Sequence, residues 1–350
     1  MSYHEARKAR RRLTTIRAEP FNAEAPLTAL EAQITPTSLH FVRRNFTLPD
    51  HDGQLTVGGA VANLLTLTLD DLRAMPRKEL AVTLECAGNA RLGQIPLPVG
   101  EPWTGNAVST ARWTGALLSE LLEKAQPSKQ GVAVSFEGAD HGPYHEHPDI
   151  HFARSLSLEH ALDPAAEILI AYEMNGEPLN AEHGAPFRLI VPRWYGVASV
   201  KWLTRIDVLT APFEGTFQTA RYIYEWPGRP IQPVTLMRPR AKITTPAQGE
   251  TLRRGSYTVH GKAWSGGGPI TNVDVCLTGE GDWRPAELEP PVGPYQWQEW
   301  SFVWDLREPG RHTMRARATD AAGNVQPESP DWNRLGYGNN AIELIYVHVQ

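Results

Sequence analysis

Two cysteines in 350 residues, Cys86 and Cys276, exclude a disulfide framework, a cysteine-ligated iron–sulfur cluster and a CxxCH haem-attachment motif. A single bridge between them stays open, and otherwise each thiol has to be read on its own. No run approaches the ~20 apolar residues that span a bilayer, and the mean hydropathy is −0.37, so no transmembrane helix and no membrane partner are expected. An excess of one charge is also lacking. Lysine plus arginine number 34 against 39 aspartates and glutamates, a net charge of −5, which does not advertise nucleic acid. The basic stretch ARKARRR at residues 6–12 precedes TTIRAEPFNAEAP and no apolar segment. It fails as a secretory signal, and the expected location is the cytoplasm, or the periplasm if a signal has been removed.

What is present is a globular composition: 41% hydrophobic and 21% charged residues. At roughly 150 residues per domain the length suggests two domains or one large one. Residues 1–36 are polar and interrupted by Pro20, Pro26 and Pro36, the pattern of an arm over the surface, to which no chemistry is assigned. Residues 37–235 mix short β-rich runs (LAVTLEC, VAVSFEG, FRLIVP, VKWLTRIDVL) with helical patterns such as GALLSELLEKA, in which Leu117, Leu118, Leu121 and Leu122 share a face. That is a mixed α/β domain. The proline-rich segment WPGRPIQPVTLMRPR reads as an extended connector, with the boundary near residue 236. Beyond it, AKITTP, SYTVHGKAW, ITNVDVCL, QEWSFVWDL, HTMRARATD and AIELIYVHV alternate with turn residues. They predict an antiparallel sandwich of about seven strands and no helix.

Cys276 falls inside VDVCL and reads as a small buried hydrophobe. Cys86 is different, because AVTLE breaks there into the small-residue turn Ala87-Gly88-Asn89. A thiol at a strand end can face a cleft, and a cation such as Arg91 nearby would favour the thiolate, whether as metal ligand or as nucleophile. The residues alone leave these open beside an inert buried thiol. The stretch HGPYHEHPDIH gathers His141, His145, His147 and His151, but its spacing matches no zinc motif and Pro143 and Pro148 break any helix. It reads as a loop.

TLECAGNAR resembles the cysteine motif of the sulfite oxidase family of molybdenum enzymes. HFVRRN, EGAD, LIAYEMNGEPLNAEHGAPFRLIVPRWYGVASVKWLTRIDV and VQPESPDWN resemble further family blocks in family order, covering nearly everything after residue 40. The resemblance implies an α+β chain: a mixed α/β molybdopterin-binding domain followed by an all-β immunoglobulin-like sandwich that mediates dimerisation. It makes Cys86 the molybdenum ligand. It implies molybdopterin contacts from Phe41, Val42, Arg43, Arg44 and Asn45, from Asp140, His183 and Arg188, and from Ser199, Val200 and Lys201. It places Arg43 and Tyr222 in the substrate pocket, with Arg91 and Trp103 beside them. The implied activity is oxygen-atom transfer, foremost the oxidation of sulfite, with electrons passed to a separate acceptor such as a cytochrome.

Three departures bear on the substrate. Leu335 stands where the family's animal and plant sulfite oxidases carry the arginine of WNLRG, with Arg334 displaced by one. Val99 and Gly100 replace a lysine, and Arg44-Asn45 replaces Asn-His. A less cationic pocket also fits another small oxo-acceptor, such as a sulfoxide. Two rivals stand beside this reading: a cysteine hydrolase using Cys86 with His183 or a loop histidine as base, and a noncatalytic binding protein on the same fold.

Overall fold

The computed structural model describes residues 13–277 and 281–350; the basic stretch at 6–12 lies outside them. Thr14–Arg17 and Asn22–Glu24 form a small antiparallel hairpin, and Ala23 exchanges two backbone hydrogen bonds with Val42. Phe21, Ala23 and Ala25 bury their alternating apolar side chains, and the buried Glu24 carboxylate accepts from the backbone N–H groups of Thr104, Gly105 and Asn106. The expected surface arm is thus woven into the fold over its second half. The period-two pattern of Phe21, Ala23 and Ala25 outweighs the flanking prolines, which interrupt helices but tolerate strand ends.

The first half of the chain builds two five-stranded sheets. In one, Glu177–Pro178, Leu169–Met174, Val108–Leu117 and Lys78–Glu85 lie side by side, with Arg188–Ile190 also pairing on Leu169–Met174, all antiparallel. The other runs Leu65–Leu67, Leu55–Gly59, Leu203–Leu209, Ala133–Tyr144, His147–Ser157, with a parallel pairing between Leu55–Gly59 and Leu203–Leu209. Helices are few and short; the longest α-helix among the described residues, Leu118–Ala125, has eight. Its Leu118, Leu121, Leu122 and Ala125 are buried in the main core, whereas Leu117 ends the preceding strand and does not share that face.

The histidine-rich stretch is no loop. It continues the strands Ala133–Tyr144 and His147–Ser157 to a tight turn at His145 and Glu146. Pro143 and Pro148 sit where the ladder register shifts, so their missing N–H groups cost no sheet bond. His141 stacks on His151 at 4.8 Å and pairs with Asp149 at 2.8 Å. Among the described residues no cluster of three or more His, Cys, Asp or Glu is arranged to hold a metal ion.

From residue 240 onward two further sheets enclose a core that includes Val259, Val273, Trp300, Met314 and Val347. One holds Arg240–Thr245, Gly255–Trp264, Gln298–Leu306 and Glu287–Leu288; the other holds Thr251–Leu252, Leu344–Val349, Gly310–Asp320, Ile270–Cys276 and Trp283–Pro285. Among the described residues no helix occurs there. The pairing is antiparallel except between Thr251–Leu252 and Leu344–Val349, which run parallel. Cys276 is fully buried, and neither cysteine is in a disulfide among the described residues. Among the described residues no helix is long and apolar enough to cross a membrane.

The two halves are tied together directly behind Cys86. Trp264 donates its indole N–H to Glu85 at 2.9 Å, Arg240 lies 3.8 Å from the same carboxylate, and Asn339 donates to the carbonyl of Ala90 at 2.8 Å.

Candidate active site

Cys86 follows the last residue of the strand Lys78–Glu85, and its N–H still bonds across to Ala107 at 2.9 Å. The chain then turns, with Asn89 N–H bonded back to the Cys86 carbonyl. The Asn89 side chain locks that turn, donating to Glu85 and accepting from the Ala107 N–H. A sheet edge therefore presents the sulfur at a fixed place. Burial pushes the thiol upward in pKa, against the pull of Arg43, the Gly88 N–H and Arg91. Left to itself Cys86 stays protonated, and among the described residues no histidine is hydrogen-bonded to it. That is the opposite of the activated pair a cysteine hydrolase needs.

Two cavities meet at this residue. The first, about 710 Å³, is lined by Cys86 together with residues 40–45, Asp140, His183, Arg188, Ser199 and Lys201. The second, about 940 Å³, is lined by Cys86, Arg91, Trp103, Leu335 and Tyr337 among others. Cys86, Arg43, Asn45 and Tyr222 line both and form the wall between them. There Arg43 donates to Asn45 Oδ1 at 2.6 Å and to the Tyr222 hydroxyl at 3.4 Å, and the hydroxyl donates to Asn45 Oδ1 at 3.3 Å. Burial works against the Arg43 charge, but its surroundings, the Glu101 carboxylate among them, more than offset it and keep the guanidinium protonated.

The first cavity is cationic. Arg188 spends its donors on the backbone carbonyls of His183, Ser199 and Leu189, and Lys201 donates to the carbonyl of Glu182. Among the described residues neither charge is matched by a carboxylate hydrogen bond, while Arg44 lies 3.4 Å from Glu182. Burial lowers Arg188 to about 9 and Lys201 well below its ordinary value, the latter reinforced by Arg188 and opposed by Asp140. Both would regain their ordinary affinity for the proton beside an anion. Burial pushes the Asp140 carboxyl up to about 7 despite Lys201, and among the described residues its buried Oδ1 has no hydrogen-bond partner. Burial lowers His183 well below its usual range, so it is a neutral imidazole.

In the second cavity Arg91 lies in a cradle of glycines. A Cβ on Gly88 would sit 2.5 Å from its Nη1, and one on Gly100, whose φ is +132°, would sit 2.9 Å from its Cζ. The guanidinium packs 5.0 Å from the Tyr337 ring and donates to the carbonyls of Leu335 and Glu101. Trp103 is fully buried, and its indole N–H has no partner among the described residues. Gly100 thus has a physical reason to replace a larger residue, since Arg91 occupies the space. Arg334 and Leu335 occupy a turn. Leu335 lines the cavity and its carbonyl accepts from Arg91, whereas Arg334 forms an ion pair with Glu225 at 2.7 Å.

Residues 45–217 match the oxidoreductase molybdopterin binding domain family and residues 232–350 the Mo-co oxidoreductase dimerisation domain family. The chain is 35% identical to sulfite oxidase of Gallus gallus over 343 residues, covering 91% of this chain and 74% of that one. The chain belongs to the sulfite oxidase family. It is also 36% identical to the mitochondrial sulfite oxidase of Homo sapiens, of which it spans 64%. A nitrate reductase of Oryza sativa subsp. japonica matches at 36% identity over 94% of this chain and 40% of its own length. Among solved structures, the sulfane dehydrogenase SoxCD from Paracoccus pantotrophus superposes with a TM-score of 0.81 at 29% identity, covering 93% of this chain and 84% of that chain.

The first cavity fits the molybdopterin cofactor of the sulfite oxidase family. Arg188 is a buried cation and Lys201 a half-buried one, both suited to a terminal phosphate, and the Asp140 oxygen, orphaned among the described residues, is an acceptor for ring N–H groups. Of the residues singled out in the sequence, Phe41, Val42, Arg43, Arg44, Asn45, Asp140, His183, Arg188, Ser199 and Lys201 line this cavity. Val200 does not; its side chain packs in the main core. Arg43, Cys86, Tyr222, Arg91 and Trp103 all line the second. Sequence reasoning missed His40, Glu182 and Trp202 in the first cavity and Arg17, Glu101 and Tyr337 in the second. His40 opens the HFVRRN block already noticed, but the Arg17–Glu101 pair, 3.2 Å apart, comes from distant segments with no local signal.

Proposed function

We propose that this chain oxidises sulfite by oxygen-atom transfer, SO₃²⁻ + H₂O → SO₄²⁻ + 2H⁺ + 2e⁻, and hands the electrons to a separate acceptor such as a cytochrome. The observation that carries this reading is the shared wall. One thiol, one arginine and one tyrosine hydroxyl stand where a cofactor cavity opens onto a cation-lined substrate cavity. When bound, the molybdenum cofactor supplies the two-electron acceptance and the oxygen exchange, which no side chain can. Cys86 would hold the metal as its thiolate, a soft ligand suited to it. Arg44, Arg188 and Lys201 hold the phosphate end, and Asp140 and His183 the pterin ring. Arg43, Arg91 and the Tyr222 hydroxyl orient the oxyanion, and the buried Trp103 N–H is a further donor.

The remaining expectations join this proposal: domains at 37–235 and 236–350, an immunoglobulin-like character for the second, and a homodimer through it. The match of residues 232–350 to a dimerisation family supports the last of these. A second reading, oxygen transfer on another small substrate such as a sulfoxide, is favoured by Leu335, which leaves the cavity one arginine short of the sulfite oxidase pattern, and by the nitrate reductase relatives.

The test is the molybdenum and pterin content of the protein and of Cys86→Ser, together with sulfite-dependent reduction of an artificial acceptor. Stoichiometric molybdenum and sulfite turnover are expected, both lost in Cys86→Ser. Molybdenum without sulfite turnover selects the second reading. No metal or pterin under cofactor-replete expression refutes both.

A further inference from the structure

The second cavity is much larger than the ion it is proposed to bind. Sulfite displaces on the order of two or three waters at ~30 Å³ each, a small part of the cavity, whose volume of about 940 Å³ includes open solvent at its mouth. Its charges are also unbalanced. Arg17, Arg43, Arg91 and Arg221 line it, and Glu101 is its one carboxylate among the described lining residues, already paired with Arg17 at 3.2 Å. No carboxylate among the described residues lies within ion-pair distance of Arg43, Arg91 or Arg221. Arg43 donates to the Tyr222 hydroxyl in the wall that carries Cys86, whereas Arg221 is half-buried and meets the hairpin tip at His145 through a solvent-exposed contact.

Arg221 is not a loose surface side chain. Its guanidinium packs 5.6 Å from the Tyr144 ring and donates to Nε2 of His145, the residue at the tip of the hairpin, whose φ of +52° turns it toward the cavity rim. Both contacts hold the cation without neutralising it. A held and unneutralised arginine beside a cavity is an anion subsite.

We infer that Arg221, positioned by Tyr144 and His145, forms a second anion subsite at the mouth, so that the cavity takes an elongated molecule with a sulfur oxyacid at the Cys86 end and a carboxylate or sulfonate at the rim. The inference rests on the proposed function for the inner end and assigns the outer end anew. It gives a physical role to the charge that the cavity lacks at Leu335: the cation stands farther out, where it recognises a longer substrate.

The experiment is calorimetric titration of the holoenzyme with methanesulfonate, which has one acid group, and with 3-sulfopropanoate and 4-sulfobutanoate, which have two. A two-headed probe is expected to bind about tenfold tighter than methanesulfonate. Arg221→Gln brings that ratio to about one, while Arg221→Lys keeps part of it. A ratio near one in the unmodified protein, a ratio unchanged in Arg221→Gln, or a ratio lost in Arg17→Gln instead overturns the subsite. The titration needs no turnover. A protein that oxidises no sulfite yet keeps the ratio refutes the proposed activity and leaves the subsite standing, and the reverse pattern does the opposite.

Discussion

The buried charge network behind Cys86 makes the most exacting prediction. Arg240 is fully buried, lies 3.8 Å from Glu85, pairs with Glu343 and donates to the Asn339 carbonyl at 2.9 Å. Burial raises the Glu85 carboxyl, opposed first by Arg240 and then by hydrogen bonds from Trp264 and Asn89. Replacing Arg240 by methionine keeps much of the volume but leaves Glu85 as a buried carboxylate without its counter-charge. Removing one partner of such a pair costs about 3–5 kcal/mol, a large part of a typical domain's stability. The sign of the pH dependence follows. In the variant the folded-state pKa of Glu85 rises further above its ordinary 4.5, so above that pH the unfolded chain binds fewer protons than the folded one. Stability then falls as pH rises through that window. Urea unfolding of Arg240→Met at pH 5 and pH 8 should show the larger loss at pH 8, and Glu85→Gln in the same chain should recover much of it. A loss under about 1 kcal/mol at both pH values, or a double variant no more stable than the single one, refutes the reasoning. Since Glu85 holds Asn89, which locks the Cys86 turn, the single variant should also retain less molybdenum.

Gly88→Ala forces a methyl group against the Arg91 guanidinium, and the sulfite KM should rise on the order of ten- to hundredfold with little change in melting temperature; an unchanged KM sinks the cradle argument. Asp140, pushed up to about 7 by burial, should make cofactor-free protein lose stability between pH 4 and pH 7, because the folded state holds a proton the unfolded state has released; Asp140→Asn should flatten that slope, and an equal slope in both proteins contradicts the assignment. If the second half of the chain dimerises, sedimentation should give twice the 38.9 kDa chain mass, and a monomer refutes it.

Much of the fold was legible because strand patterning is local. LAVTLEC, VAVSFEG and QEWSFVWDL lie within the strands Lys78–Glu85, Ala133–Tyr144 and Gln298–Leu306 or reach one or two residues past them. The histidine stretch was misread because prolines mark a loop locally, while the ladder on either side carries the strands through their register shifts. The N-terminal arm was misread because its burial depends on acceptors and donors supplied by Val42 and by residues 104–106, which no local pattern announces.

The order of residues determined the chemistry available to this protein: one thiol at a strand end, a run of arginines after Phe41, and blocks that resemble a cofactor site. Only the tertiary structure decided that Arg43, Cys86 and Tyr222 share one wall between two cavities, that Arg91 is held among glycines from three segments, and that Arg334 pairs with Glu225 while Leu335 lines the second cavity. The physical reason is range. Periodicity and turn chemistry act over a few residues, whereas burial, charge balance and the meeting of side chains are settled by contacts between segments hundreds of residues apart, such as Arg91 with Leu335.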